Sequence, residues 1–122
     1  MSTPSDRKYT KEHEWVLLEK SDTALVGVTH YAQDQLGDVV YLSLPPKGAK
    51  VAQTKKLGEV ESVKAVSDIY SPVSGEVVDT NQEVVGKPEL VNQDPYGRGW
   101  LLRVKLSNPK ELDSLLTAQQ YD

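Results

Sequence analysis

Apolar positions in this chain fall in short runs broken by Gly, Pro, Asn and Asp, with few of the long stripes that mark helices. Glu14-Trp15-Val16-Leu17-Leu18-Glu19 predicts a strand, Ser21-Asp22 a turn, and Thr23 to Thr29 the returning hairpin partner. His30 to Leu36 predicts a short helix, with Thr29 able to cap it and Gly37 able to stop it. Asp38 to Leu44 reads as a buried strand ending at Pro45-Pro46. Beyond it, turn residues at Gly48, Gly58, Pro72, Gly75, Asn81 and Gly86 divide the chain into short strands, the pattern of a compact β-sandwich or barrel. Pro45-Pro46-Lys47-Gly48 and Pro72-Val73-Ser74-Gly75 each follow an apolar strand, a repeat that hints at pseudo-symmetry. Trp100 to Leu106 predicts the last strand. A C-terminal helix should follow, capped by Asn108, started by Pro109, with Glu111 in the capping-box position and Leu112, Leu115 and Leu116 facing the sheet. Residues 1–8 are polar and expected to be flexible, leaving 9–122 as a single domain.

Composition narrows the function more than the fold. A chain of 122 residues has room for one core. Its net charge of −4 argues against a nucleic-acid binder, which needs a dense basic face. No apolar run approaches membrane-spanning length, and Met1-Ser2-Thr3-Pro4 opens neither a signal peptide nor an Arg-rich transit segment. The expectation is a soluble protein of a bacterial cytoplasm. The absence of cysteine excludes disulfides, thiolate metal sites and a Cys nucleophile. With one Met and no Phe, the core must come from Val, Leu, Tyr and Trp, a bias that favours strands.

Catalytic and metal-binding patterns are missing. His13 and His30 form neither an HxH nor an HExxH arrangement, and His13 and Glu14 should face opposite sides of one strand. No Gly-x-Ser-x-Gly elbow occurs, and Gly97-Arg98-Gly99 precedes a strand rather than a phosphate-binding helix. The remaining segment of interest runs from Gly58 to Tyr70. Alternation on both sides of Lys64, with small Ser62 and Ala65 beside it, predicts two strands with Lys64 at their tip. Lys64 is one of eleven lysines, so on these residues alone an ordinary solvated turn lysine is the plainer reading.

The same segment resembles the modification hairpin of lipoyl and biotinyl domains, with Ser71-Pro72-Val73-Ser74-Gly75 following the lysine. Val63 and Ala65 stand where biotinyl domains carry Met, which favours lipoate over biotin. Further motifs are similar to the H-protein family of the glycine cleavage system: Tyr9-Thr10-Lys11-Glu12-His13-Glu14-Trp15, Ala32-Gln33-Asp34 with Leu36-Gly37-Asp38, Glu61-Ser62-Val63-Lys64-Ala65, and Asn92 with Pro95-Tyr96-Gly97 and Gly99-Trp100. They cover roughly residues 9 to 121, in order.

The resemblance implies a lipoyl-type barrel-sandwich hybrid, mainly β, with short helices including a C-terminal one. It implies a non-catalytic carrier with lipoate on Lys64, and an aminomethyl arm resting in a cleft beside Glu14 and Asp68, with Glu12 and Tyr31 contributing. The implied partners are the pyridoxal-phosphate glycine decarboxylase, the aminomethyltransferase, dihydrolipoamide dehydrogenase, and a lipoate ligase or octanoyl/lipoyl transferase. Neither nucleic acid nor a membrane is among them. Rival readings are a biotin carrier, a relay of lipoyl or octanoyl groups to other complexes, and an unmodified β-barrel interaction module.

Overall fold

A computed structural model describes residues 3–20 and 22–121 of the chain. Ser21, expected in the first turn, lies outside the described residues. The elements are β1 (Lys8–Tyr9), β2 (Glu14–Leu18), β3 (Thr23–Val28), α1 (His30–Leu36), β4 (Val39–Ser43), β5 (Lys50–Val51), β6 (Lys56–Ser62), β7 (Val66–Tyr70) and β8 (Gly75–Thr80). They continue with α2 (Gln82–Gly86), α3 (Leu90–Gln93), β9 (Leu102–Leu106), a 3-10 helix (Pro109–Ser114) and α4 (Ala118–Tyr121).

The strands form two sheets. One runs β1-β2-β3-β9-β8-β5 and the other β4-β6-β7, with every pairing antiparallel. A single apolar cluster joins them, with Val26, Val77 and Val104 from the larger sheet packed in one core with Leu42, Val60 and Ile69 from the smaller. Burying each such side chain contributes about 1.5–3 kcal/mol, so the two sheets are held chiefly through their inner faces.

Trp15 is the largest buried side chain. Its indole lies where Gly27 leaves room, since a Cβ there would sit 2.5 Å from the ring. The indole N–H donates to Pro95 O at 3.0 Å, so the Pro95-Tyr96-Gly97 loop is tied to β2. Within the segment expected to be flexible, the Arg7 guanidinium stacks 4.6 Å from Trp15 and donates to Tyr96 O.

The first hairpin and α1 follow the sequence pattern. Thr29 accepts from the Ala32 N–H, and Gly37 ends the helix at φ +79°, a conformation that favours glycine. Three expectations need correction. The strand at Asp38 to Leu44 is not uniformly buried: a bulge between Val39 and Tyr41 turns both Val40 and Tyr41 outward while Val39 and Leu42 stay in the core. Gly58 lies inside β6 rather than at a turn, because a Cβ there would meet Ser43 O at 2.2 Å. The stretch around Asn81 and Gly86 is helical: Asn81 caps α2 by accepting from the Glu83 N–H, and its amide donates to Arg98 O and Trp100 O. The repeated Pro-x-x-Gly motifs also diverge, with Gly48 at φ +94° in open space and Gly75 starting β8 against Lys105 O.

At the C-terminus the expected helix starts at Pro109 as a six-residue 3-10 helix, and α4 closes the fold after it. Asn108 makes no capping bond, and the Glu111 carboxylate accepts instead from the Ser74 N–H (2.7 Å) and hydroxyl (2.8 Å). With Glu111 drawn to the sheet, the capping box cannot close and the chain extends at Leu115. Leu112 and Leu115 still pack on the core, and Leu116 pairs with Tyr9 through two backbone bonds of 2.8 Å.

Candidate functional site

Lys64 stands at the tip of the β6–β7 hairpin, and the tip is built by Ser62. The Ser62 N–H donates to Ala65 O at 2.8 Å, while its hydroxyl oxygen accepts from the N–H groups of both Lys64 and Ala65 at 3.2 Å. A small side chain was expected here; its hydroxyl turns out to accept from two turn N–H groups. The Val63 N–H donates to Asp38 O, fastening the tip to the start of β4.

The Lys64 side chain is exposed and reaches across to α1, where its ammonium donates to Gln35 O at 3.3 Å. Its Cε passes 3.0 Å from where a Cβ on Gly37 would stand, so the glycine that ends the helix also clears the lysine stem. Asn92 holds this corner from below. Its carbonyl accepts from the Val39 N–H at 2.9 Å, and its amide donates to Gly37 O (2.8 Å) and Gln33 Oε1 (3.0 Å). That explains why a polar residue far along the chain belongs with the Lys64 motif.

Glu14 is 3% exposed, although it opens a strand near the surface. Its Oε1 accepts from the Thr10 hydroxyl at 2.6 Å and its Oε2 from the Tyr70 N–H at 3.3 Å, so both oxygens are engaged. Burial pushes the carboxyl up to about 7; the Thr10 and Tyr70 bonds oppose that rise, and the nearby Glu12 charge adds to it. Glu14 forms part of the wall of a cavity of about 430 Å³, with Glu12, Thr10, Tyr70, Pro72 and Leu116 among its other lining residues. Thr10 and Tyr70 carried no sequence signal of this role, since a hydroxyl four residues away and a backbone N–H on another strand meet only through the fold.

The four expected cleft residues do not converge on one point. Glu12 and Glu14 share the cavity. Asp68 lies on the outer face of β7 and pairs with Lys56 at 3.2 Å. Tyr31, 51% exposed, projects from α1 into a separate hollow with His30, Asp34 and Tyr96, its ring 4.5 Å from His13. His13 itself precedes β2 at φ +69°, and its Nδ1 lies 2.7 Å from the Tyr121 hydroxyl. Among the described residues no three His, Asp or Glu side chains gather to hold a metal ion, and no helix is long and apolar enough to cross a membrane.

Comparison with known proteins gives one consistent result. The family model for the glycine cleavage H-protein matches residues 7–122. The glycine cleavage system H protein of Symbiobacterium thermophilum is 54% identical over 99% of this chain and 94% of its own length. That of Thermus thermophilus is 55% identical over the same shares. The crystal structure of a glycine cleavage system H protein from Mycobacterium marinum superposes with a TM-score of 0.90 at 40% identity, covering 98% of this chain and 95% of its own.

Proposed function

The chain belongs to the glycine cleavage H-protein family, and from that premise we propose that Lys64 is its lipoate attachment site. H-proteins are lipoyl carriers, not catalysts: they shuttle the aminomethyl group of glycine from glycine decarboxylase to the aminomethyltransferase and are reoxidised by dihydrolipoamide dehydrogenase. The observation that carries the assignment is the exposed Lys64 on a hairpin tip stapled by Ser62, free to be acylated without disturbing the core. Lipoate supplies, when bound, the sulfur pair that takes up the one-carbon unit and two electrons.

The protein's own residues position and shelter. Lys64 contributes a long stem, and tethering gives a high effective concentration at each docked active site. Amide formation removes the lysine charge, so the modified side chain can lie against apolar surface. Asp68 is four residues along β7 from Lys64 and Tyr70 six, about 13 and 20 Å at full strand extension. The route from the tether to the Glu14 cavity therefore runs beside Asp68. Glu14, with Glu12 near it, offers carboxylate oxygens to a cationic amine entering the cavity. Tyr31 stands on α1, the helix whose far end the Lys64 stem crosses, and offers an aromatic wall rather than a charge. We place the protein in the bacterial cytoplasm, with a lipoate ligase or octanoyl/lipoyl transferase acting on Lys64.

The test is glycine–bicarbonate exchange by the decarboxylase with lipoylated protein added. Stimulation that vanishes with Lys64→Ala supports the reading. Equal rates with and without the lysine would refute it, and an inert protein that still passes acyl groups to other complexes would favour the relay role.

A further inference from the structure

The outer face of the β4-β6-β7 sheet is unusual for a surface flanked by solvent. The register sets Tyr41, Glu61 and Val66 side by side, and Ser43, Glu59 and Asp68 in the next row. Directly paired residues share a face, and all of these except Glu59, which is half-buried, are exposed. A strictly alternating strand would present one outward residue between the buried Val39 and Leu42. The bulge presents two, Val40 at 49% and Tyr41 at 57% exposure. Val63 (68%) and Val66 (58%) flank Lys64 itself. Four of the seven large apolar side chains left exposed among the described residues thus collect around one lysine, on strand positions where solvent would favour polar groups. The face is also acidic: Glu61 lies between Tyr41 and Val66, and in the next row Lys56 pairs with Glu59 at 2.7 Å and with Asp68 at 3.2 Å.

We infer that this face, centred on Tyr41 and Val66, is the docking surface for the enzyme that acylates Lys64, whose own contact surface is apolar and carries cationic side chains to meet Glu61, Glu59 and Asp68. The inference rests on Lys64 being the acylated residue. Its occupant follows from reach. Enzymes that act on the finished arm work at the end of a long tether. The acylating enzyme has only the bare lysine stem, so it must close over the hairpin tip and bury what surrounds it. The opposite side of the tip is taken by α1 and the loop through Gly37, against which the stem rests, so the enzyme approaches from the sheet face and lifts Nζ from Gln35 O. The ammonium gives one proton to solvent, and Nζ bonds to the carbonyl carbon of an acyl–phosphate mixed anhydride formed with ATP. The bond from that carbon to the phosphate oxygen breaks, and the nucleotide phosphate leaves as its anion while the nitrogen releases a second proton. No electrons are exchanged.

The experiment uses unmodified full-length protein, the host's lipoate ligase with lipoate and ATP, and intact mass to follow acylation. Tyr41→Ser and Val66→Ser should each lower kcat/KM about tenfold, mainly by raising KM, because centrally placed apolar anchors carry interface affinity. Tyr41→Phe should restore it, and Leu18→Ser, an exposed apolar change on the other sheet, should leave it unchanged. Wild-type kcat/KM in both serine variants, or an equal loss in Leu18→Ser, would overturn the inference while leaving Lys64 acylated. A Tyr41→Ser change that only converts a dimer to a monomer would overturn it in favour of a second copy of the chain. No adduct on the wild-type lysine would overturn the reading of Lys64 and this one with it.

Discussion

Replacing Glu14 by Gln should change how stability depends on pH more than it changes stability at any one pH. A buried carboxyl with its folded pKa raised from 4.5 to about 7 binds its proton more tightly in the native state than in the unfolded chain. Its contribution is fully present below the unfolded value and is lost as pH rises through the folded one. The whole shift is about 2.5 units, or about 3 kcal/mol at 1.36 kcal/mol per unit. Between pH 5 and pH 8 the part that is lost comes to about 2.5 kcal/mol. Glutamine fits the same space and does not titrate, so the variant lacks this slope. Urea unfolding of the unmodified protein and of Glu14→Gln across that range measures it, because every other group cancels in the difference. The variant should gain about 2.5 kcal/mol on the wild type from pH 5 to pH 8, with unchanged m-values. Parallel curves, or a wild type that gains with rising pH, would refute a buried carboxyl held near neutrality. The functional link is direct. A cationic amine in the cavity would pull the same carboxyl downward, so occupancy and proton release from Glu14 are coupled.

Three further outcomes follow from the same geometry. Lys64→Ala should leave unfolding free energy within about 0.5 kcal/mol of wild type, since the side chain is exposed and its one bond goes to a helix-end carbonyl; chemical denaturation checks this. Glu111→Ala removes both bonds to Ser74 and should cost about 1–3 kcal/mol, with hydrogen-exchange protection falling first from Leu112 to Tyr121. Gly27→Ala forces a methyl against the Trp15 ring and should cost about 1–3 kcal/mol, with a shifted tryptophan emission.

The sequence made the hairpins, α1 and the place of Lys64 legible because each rests on local chemistry: alternation, a Thr cap, a stopping glycine and a Ser-bearing turn. Asn81 and Gly86 read as turn residues between short strands, whereas the Asn81 side chain caps α2 by accepting from the Glu83 N–H. The C-terminal capping box was locally sound and lost to a distant partner, since Glu111 gains two bonds at Ser74. Glu14 shows the same limit at the site. Adjacent His13, Glu12 and Lys11 suggest a solvated stretch, and only the return of Tyr70 onto β2 reveals that its carboxylate is buried. The expected grouping of Glu12, Glu14, Tyr31 and Asp68 came from resemblance, which carries no distances; the fold separates them among a cavity, a second hollow and an outer sheet face.

Whether Lys64 carries the arm is read by intact-mass analysis of protein purified from its native host, followed by fragmentation of the hairpin peptide. A single lipoyl adduct mapping to Lys64, and absent from Lys64→Arg expressed in the same host, is expected. An adduct of biotinyl mass, an adduct on another lysine, or a Lys64 that stays unmodified in a host making lipoate would contradict it.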